Sequence, residues 1–139
     1  MPVTLSIAAP GKLPSSLADD IADDIDVYPI LEERTRGASD VATIMVTVAW
    51  TAFVGGLLQK FGADAHDRIA KALNRLRRAV PDEHAELLLH DAATSMTFVF
   101  DAAALADERA IAALATARYL RVPGAVFSWR VETGAWELR

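Results

Sequence analysis

The chain has 139 residues, 53% of them hydrophobic and 24% charged, with a net charge of −5 at pH 7 and no cysteine. That length fits one domain with enough apolar content for a core. The missing thiols exclude a disulfide framework, cysteine-held zinc and thiol catalysis. Charge is segregated: residues 1–40 carry eight acids and three bases, residues 41–80 two acids and six bases, and residues 81–139 nine acids and five bases. An acidic chain with one basic segment is a poor general nucleic-acid binder, but it suits pairing with itself or with another protein. Eleven arginines against three lysines, with abundant alanine, fit a GC-rich bacterial genome. The start, MPVTLSIAAPGK, lacks the basic region of a signal peptide, and the expected location is cytoplasmic.

In chain order, Val3 to Ala8 alternates apolar Val3, Leu5 and Ile7 with Thr4 and Ser6, the pattern of a half-buried strand that Pro10-Gly11 ends. Pro14-Ser15-Ser16 opens a helix with Asp19 placed as in a capping box, and Leu17, Ile21 and Ile25 mark its buried side. Val27 to Glu33 reads as a strand. Pro29 cannot donate to a ladder, so this strand belongs at a sheet edge. Arg36 to Ser39 is a loop.

Residues 41–59 then run without one charge. As a single helix this run is long enough to span a bilayer. Thr43, Thr47, Thr51 and Gly55 even form a small-residue stripe of the kind that packs membrane helices. The period argues otherwise. Ile44, Val46, Val48 and Trp50 alternate with Thr43, Met45, Thr47 and Ala49, and β-branched residues dominate, which predicts a strand. From Ala52 the apolar positions Phe53, Leu57, Phe61, Ala65, Ile69, Leu73, Leu76 and Val80 follow helical spacing. They predict one helix over residues 52–79, about 42 Å long. Gly55, Gly56 and Gly62 lower its propensity by about 1 kcal/mol each, and closeness to a neighbour would explain them.

After Pro81 two short strands are expected, Leu87–His90 and Met96–Phe100, then a helix within Asp101–Tyr119 with Asp107 as its N-cap and Ile111, Leu114 and Arg118 along one side. Pro123-Gly124 is a turn. The chain closes in a hairpin. A two-residue turn at Thr133-Gly134 would pair Val131 with Trp136, Arg130 with Glu137 and Trp129 with Leu138.

Two charged constellations stand out. Asp19, Asp20, Asp23 and Asp24 form i, i+4 pairs on the first helix. Paired carboxylates can hold Mg²⁺ or Ca²⁺, though a solvated acidic face has the same spelling. Acids in the last helical turn oppose the macrodipole and repel one another, and a partner cation would relieve both costs. Arg68, Lys71, Arg75 and Arg78 form a basic stripe on the long helix, a candidate for that partner. Its bland reading is i, i+4 pairing of Asp64 with Arg68 and Asp67 with Lys71, which leaves Arg75 and Arg78 without an upstream acid. His84 and His90 with Asp82, Glu83 and Asp91 have no recognised ligand spacing. No G-x-S-x-G, G-x-G-x-x-G or P-loop pattern occurs.

These readings predict a single α+β domain, ordered β-α-β-β-α-β-β-α-β-β, with a mostly antiparallel or mixed sheet packed by one long and two shorter helices. The expected core is Ile44, Val46, Val48, Phe53, Leu57, Phe61, Ile69, Leu73, Phe98, Phe100, Ile111, Leu114, Trp129 and Trp136. The expected function is a small non-enzymatic interaction or regulatory protein, without cofactor, that self-associates or docks to a larger protein. The expected contacts are Asp19, Asp20, Asp23, Asp24, Arg68, Lys71, Arg75 and Arg78. The alternatives are a single-pass membrane anchor at residues 41–59 and a metal-dependent enzyme built on the Asp19–Asp26 cluster.

Overall fold

The computed structural model describes residues 4–10, 13–34, 43–80, 86–116 and 122–139. Within them lie seven strands: β1 (Ser6–Pro10), β2 (Ile30–Arg34), β3 (Thr43–Val48), β4 (Glu86–Asp91), β5 (Thr97–Phe100), β6 (Val126–Arg130) and β7 (Ala135–Leu138). The helices are α1 (Ser15–Ile25), α2 (Trp50–Phe61), α3 (Ala65–Ala79), α4 (Ala102–Ala106) and α5 (Glu108–Thr116). The strands form one mixed sheet in the order β2-β1-β3-β4-β5-β6-β7. Parallel pairs β1/β2, β3/β4 and β5/β6, each joined through helix, alternate with antiparallel pairs β1/β3, β4/β5 and β6/β7. This is the α+β domain that the periodicities predict; the second strand, expected over Val27–Glu33, runs over Ile30–Arg34 and lies at an edge, with Pro29 just ahead of it rather than inside it.

The two faces of the sheet differ. Ile7, Val46, Leu89, Phe98 and Phe127 are successive register partners, and all are buried. The neighbouring row, Ala8, Met45, Leu88, Val99 and Ser128, points the other way and is mostly half-buried. The helices cover the first face as one layer, with α1 packed on α3 and α3 on α5. Aromatic rings fill its far end, where Phe98 stacks on Phe127 at 5.3 Å and Trp136 stands edge-on to Phe98, Phe100 and Trp129. The Trp136 indole N–H donates to the Ala110 carbonyl of α5, 2.9 Å away, so the ring is buried without stranding its polar atom.

The uncharged run divides as its period indicates: β3 carries Ile44, Val46 and Val48 inward, and α2 begins at Trp50. Among the described residues no helix is long and apolar enough to cross a membrane. The helix expected over 52–79 is not continuous. Gly62 takes φ 58°, ψ −128°, a conformation that ends α2, and a 3-10 turn at Gly62–Asp64 leads into α3. Of the expected core only Phe61, next to that break, is left half-buried. The helix expected after residue 101 also divides: Asp101 caps α4 by accepting from Ala104 N at 2.9 Å, and Asp107 receives Arg109 N at the start of α5 at 3.0 Å. Arg118 lies outside the described residues, as do residues 36–39.

The hairpin register is shifted by two residues from the expected one. A four-residue turn, Val131–Gly134, pairs Arg130 with Ala135, Trp129 with Trp136 and Phe127 with Leu138. A shift of two keeps both tryptophans on their expected face, because strand side chains alternate with period two, while Val131, expected opposite Trp136, falls in the turn and is exposed. The expected ion pair survives on the diagonal, with Arg130 Nε 3.0 Å from Glu137.

Candidate interaction surface

The two charged constellations meet within the chain. α1 and α3 pack side by side and antiparallel, since Arg68 reaches the C-terminal end of α1 while Arg75 lies one turn back along it. Arg75 Nε donates to Asp24 at 2.7 Å, and its guanidinium is 4.0 Å from Asp20. The Asp24 side chain is 13% exposed, so this pair is shielded from solvent on the acid's side. Arg68 donates to the carbonyls of Asp24 at 3.2 Å and Asp23 at 3.4 Å, and its guanidinium stacks 3.9 Å from the centre of the Phe61 ring. Lys60 pairs with Asp26. The acid-rich end of α1, unfavourable alone, is therefore neutralised by cations from the α2–α3 segment, and its free carbonyls are capped.

Asp19, Asp23, Lys71 and Arg78 remain on the surface. Among the described residues the carboxylates of Asp19 and Asp23 and the ammonium of Lys71 take part in no ion pair, and Arg78 only returns a bond to Asn74 O at 3.3 Å. The expected pairs do not form: Arg68 is committed to α1 rather than to Asp64, and among the described residues no ion pair joins Asp67 to Lys71. No group of three acids or histidines able to hold a metal occurs among the described residues.

The histidine cluster is not assembled either. His90 lies on the open face of the sheet with Nδ1 3.2 Å from Thr97 Oγ1, Asp91 lies on the helical side, and residues 82–84 are outside the described residues. Asp91 has a role that no motif announced. It is 1% exposed, and its carboxylate accepts from Trp50 N at 3.3 Å, Ala93 N at 3.1 Å and the Thr94 hydroxyl at 2.9 Å. It thereby holds the β4–β5 turn and the first turn of α2 together.

A second carboxylate is equally occupied. Asp107 accepts from Arg109 N (3.0 Å), Nε (3.1 Å) and Nη2 (2.8 Å) and from the Trp129 indole at 3.0 Å. Hydrogen bonding from the Arg109 guanidinium lowers its pKa to about 2 against an opposing desolvation, with the Arg109 backbone and Trp129 helping; the same bond raises that of Arg109. The cleft beside it, about 420 Å³ and lined by His66, Asp67, Leu105 and Ile111, thus has a saturated anion at its edge, and that anion makes a poor general base.

What remains is the outer side of α2. Thr51, Ala52, Gly55, Gly56, Leu58 and Gln59 are exposed there, and none carries charge. A Cβ placed on Gly55 or Gly56 would meet nothing within 4 Å among the described residues, so neither glycine serves packing against them. A groove of about 460 Å³ runs alongside, lined by Val27, Tyr28, Ala52, Phe53 and Gly56 and edged by the Asp26–Lys60 pair. Tyr28 is 65% exposed and Ile30 50%. An exposed aromatic side chain, Tyr28, and an uncharged stretch of helix thus adjoin a concave surface.

Comparison with known proteins adds nothing to this geometry: no family model, no curated protein and no solved structure matches the chain.

Proposed function

We propose that the chain is a small non-enzymatic interaction or regulatory protein that self-associates or docks to a larger protein, with the outer face of α2 and the Tyr28 groove as the docking surface. The observation that carries this reading is the pair Gly55-Gly56. Each costs α2 about 1 kcal/mol relative to alanine, and no neighbour among the described residues uses the space they leave. A partner approaching the backbone closely would use it, as small residues do wherever helices pack tightly. Tyr28 supplies the kind of amphipathic aromatic side chain on which binding energy concentrates. Of the charged residues first expected to dock, Asp20, Asp24, Arg68 and Arg75 are used inside the chain, where they hold α1 in place beside the groove.

A photo-crosslinking residue placed at Gln59 in the producing cells tests this. The expected result is an adduct of discrete mass that disappears when Gly55 and Gly56 are both alanine. An adduct that persists in the double variant would show that the glycines are not part of the contact.

A further inference from the structure

The charges left over on the helical layer are self-complementary, and we infer that they form an interface between two copies of this chain. The inference deepens the interaction reading and stands on residues other than those of the α2 face. In α1, Leu17, Ile21 and Ile25 face the core and Asp20 and Asp24 face α3. The helical period then sends Asp19 and Asp23 outward, away from the sheet. In α3, Ile69, Leu73 and Leu76 face the core and Arg68 and Arg75 face α1. The same period sends Lys71 and Arg78 outward. The outside of the layer therefore carries a strip of Asp19 and Asp23 on one helix and one of Lys71 and Arg78 on its neighbour, with exposed Asp67 one turn before Lys71.

The antiparallel packing brings these strips level. Arg68 lies against the end of α1 and Arg75 between Asp20 and Asp24, so Lys71 falls near the height of Asp23 and Arg78 near that of Asp19. A two-fold axis parallel to the two helices and between them would lay α1 of one copy on α3 of the other, acid on base, and repeat the contact in reverse. Within one chain the strips do not pair: among the described residues no ion pair joins Lys71 or Arg78 to Asp19 or Asp23, and the Arg75–Asp24 pair lies between the helices. A second molecule would complete the pairing. Exposed ion pairs are individually weak, so the contact sets orientation and salt dependence more than tightness.

The test is light scattering behind size exclusion at low salt and at 1 M salt, where the screening length shrinks to about 3 Å. It compares the unaltered chain, Lys71→Glu with Arg78→Glu, Asp19→Lys with Asp23→Lys, and an equimolar mixture of the two variants. Circular dichroism checks that each is folded, and Lys71→Gln with Arg78→Gln replaces any reversal that is not. The expected results are a dimer at low salt and a monomer at high salt for the unaltered chain, monomers for each variant alone, and a dimer for the mixture. A monomer at both salts, or a mixture that does not pair, would overturn the inference and leave docking through α2 standing. A dimer indifferent to the reversals but lost in Gly55→Ala with Gly56→Ala would overturn it in favour of the α2 face.

Discussion

Replacing Asp91 by alanine should unfold the chain about 10 °C earlier. Asp91 is the one buried charged residue among those described, and it accepts three hydrogen bonds. The Trp50 N–H belongs to the first turn of α2, where no helical carbonyl serves it, and stranding it in the core costs about 1–3 kcal/mol. Its 3.3 Å length argues for the lower half of that range. Ala93 is exposed and Thr94 half-buried, so water recovers part of what they lose, and about 1 kcal/mol is assigned to the two together. The sum is about 2–3 kcal/mol. For a chain of this length 1 kcal/mol moves Tm by about 3–5 °C. Asp91→Asn keeps one oxygen for Trp50 N and Ala93 N, and should cost only about 1 kcal/mol. Thermal unfolding by circular dichroism reads both, and hydrogen exchange at the Trp50 amide should rise in the alanine variant alone. A Tm loss under about 3 °C for alanine, or equal losses for alanine and asparagine, would refute the assignment.

Gly62→Ala should destabilise by about 2 kcal/mol although its Cβ would stand in open space, because φ 58°, ψ −128° is closed to other residues; an unchanged Tm would contradict this. The carboxyl of Asp107 should titrate near 2 in an NMR series, and in Arg109→Ala return toward 3.8. Since the folded value is the lower one, the stability it brings is complete above about pH 4 and fades as pH falls toward 2; a midpoint at the ordinary value would remove the clamp.

How far the sequence disclosed this structure depended on the range of each interaction. The alternation in TIMVTV and the four-residue spacing of Leu17, Ile21 and Ile25 are local signals, and they placed β3 and α1 correctly. The break at Gly62 was hidden because the apolar spacing runs through it: Leu57, Phe61, Ala65 and Ile69 keep their four-residue step across a 3-10 turn. The hairpin face was legible but its register was not, since two registers two residues apart bury the same tryptophans. The α1–α3 closure was half legible. The acids at the end of α1 called for a cation, and the stripe on α3 supplied one, but its membership in the same chain depends on how the helices pack. Asp91 was hidden because its partner Trp50 is 41 residues away, joined only when β3 and β4 pair.

The central claim is that Gly55 and Gly56 are kept for a contact outside the monomer. The most direct measurement is the Tm and the Gln59 crosslinking of Gly55→Ala with Gly56→Ala. The account predicts a chain stabilised by about 1–2 kcal/mol, with a Tm about 4–8 °C higher, that no longer forms the Gln59 adduct. A stabilised variant that still forms the adduct in full would contradict it, and so would one that is destabilised, since that would place the two glycines in the service of the fold itself.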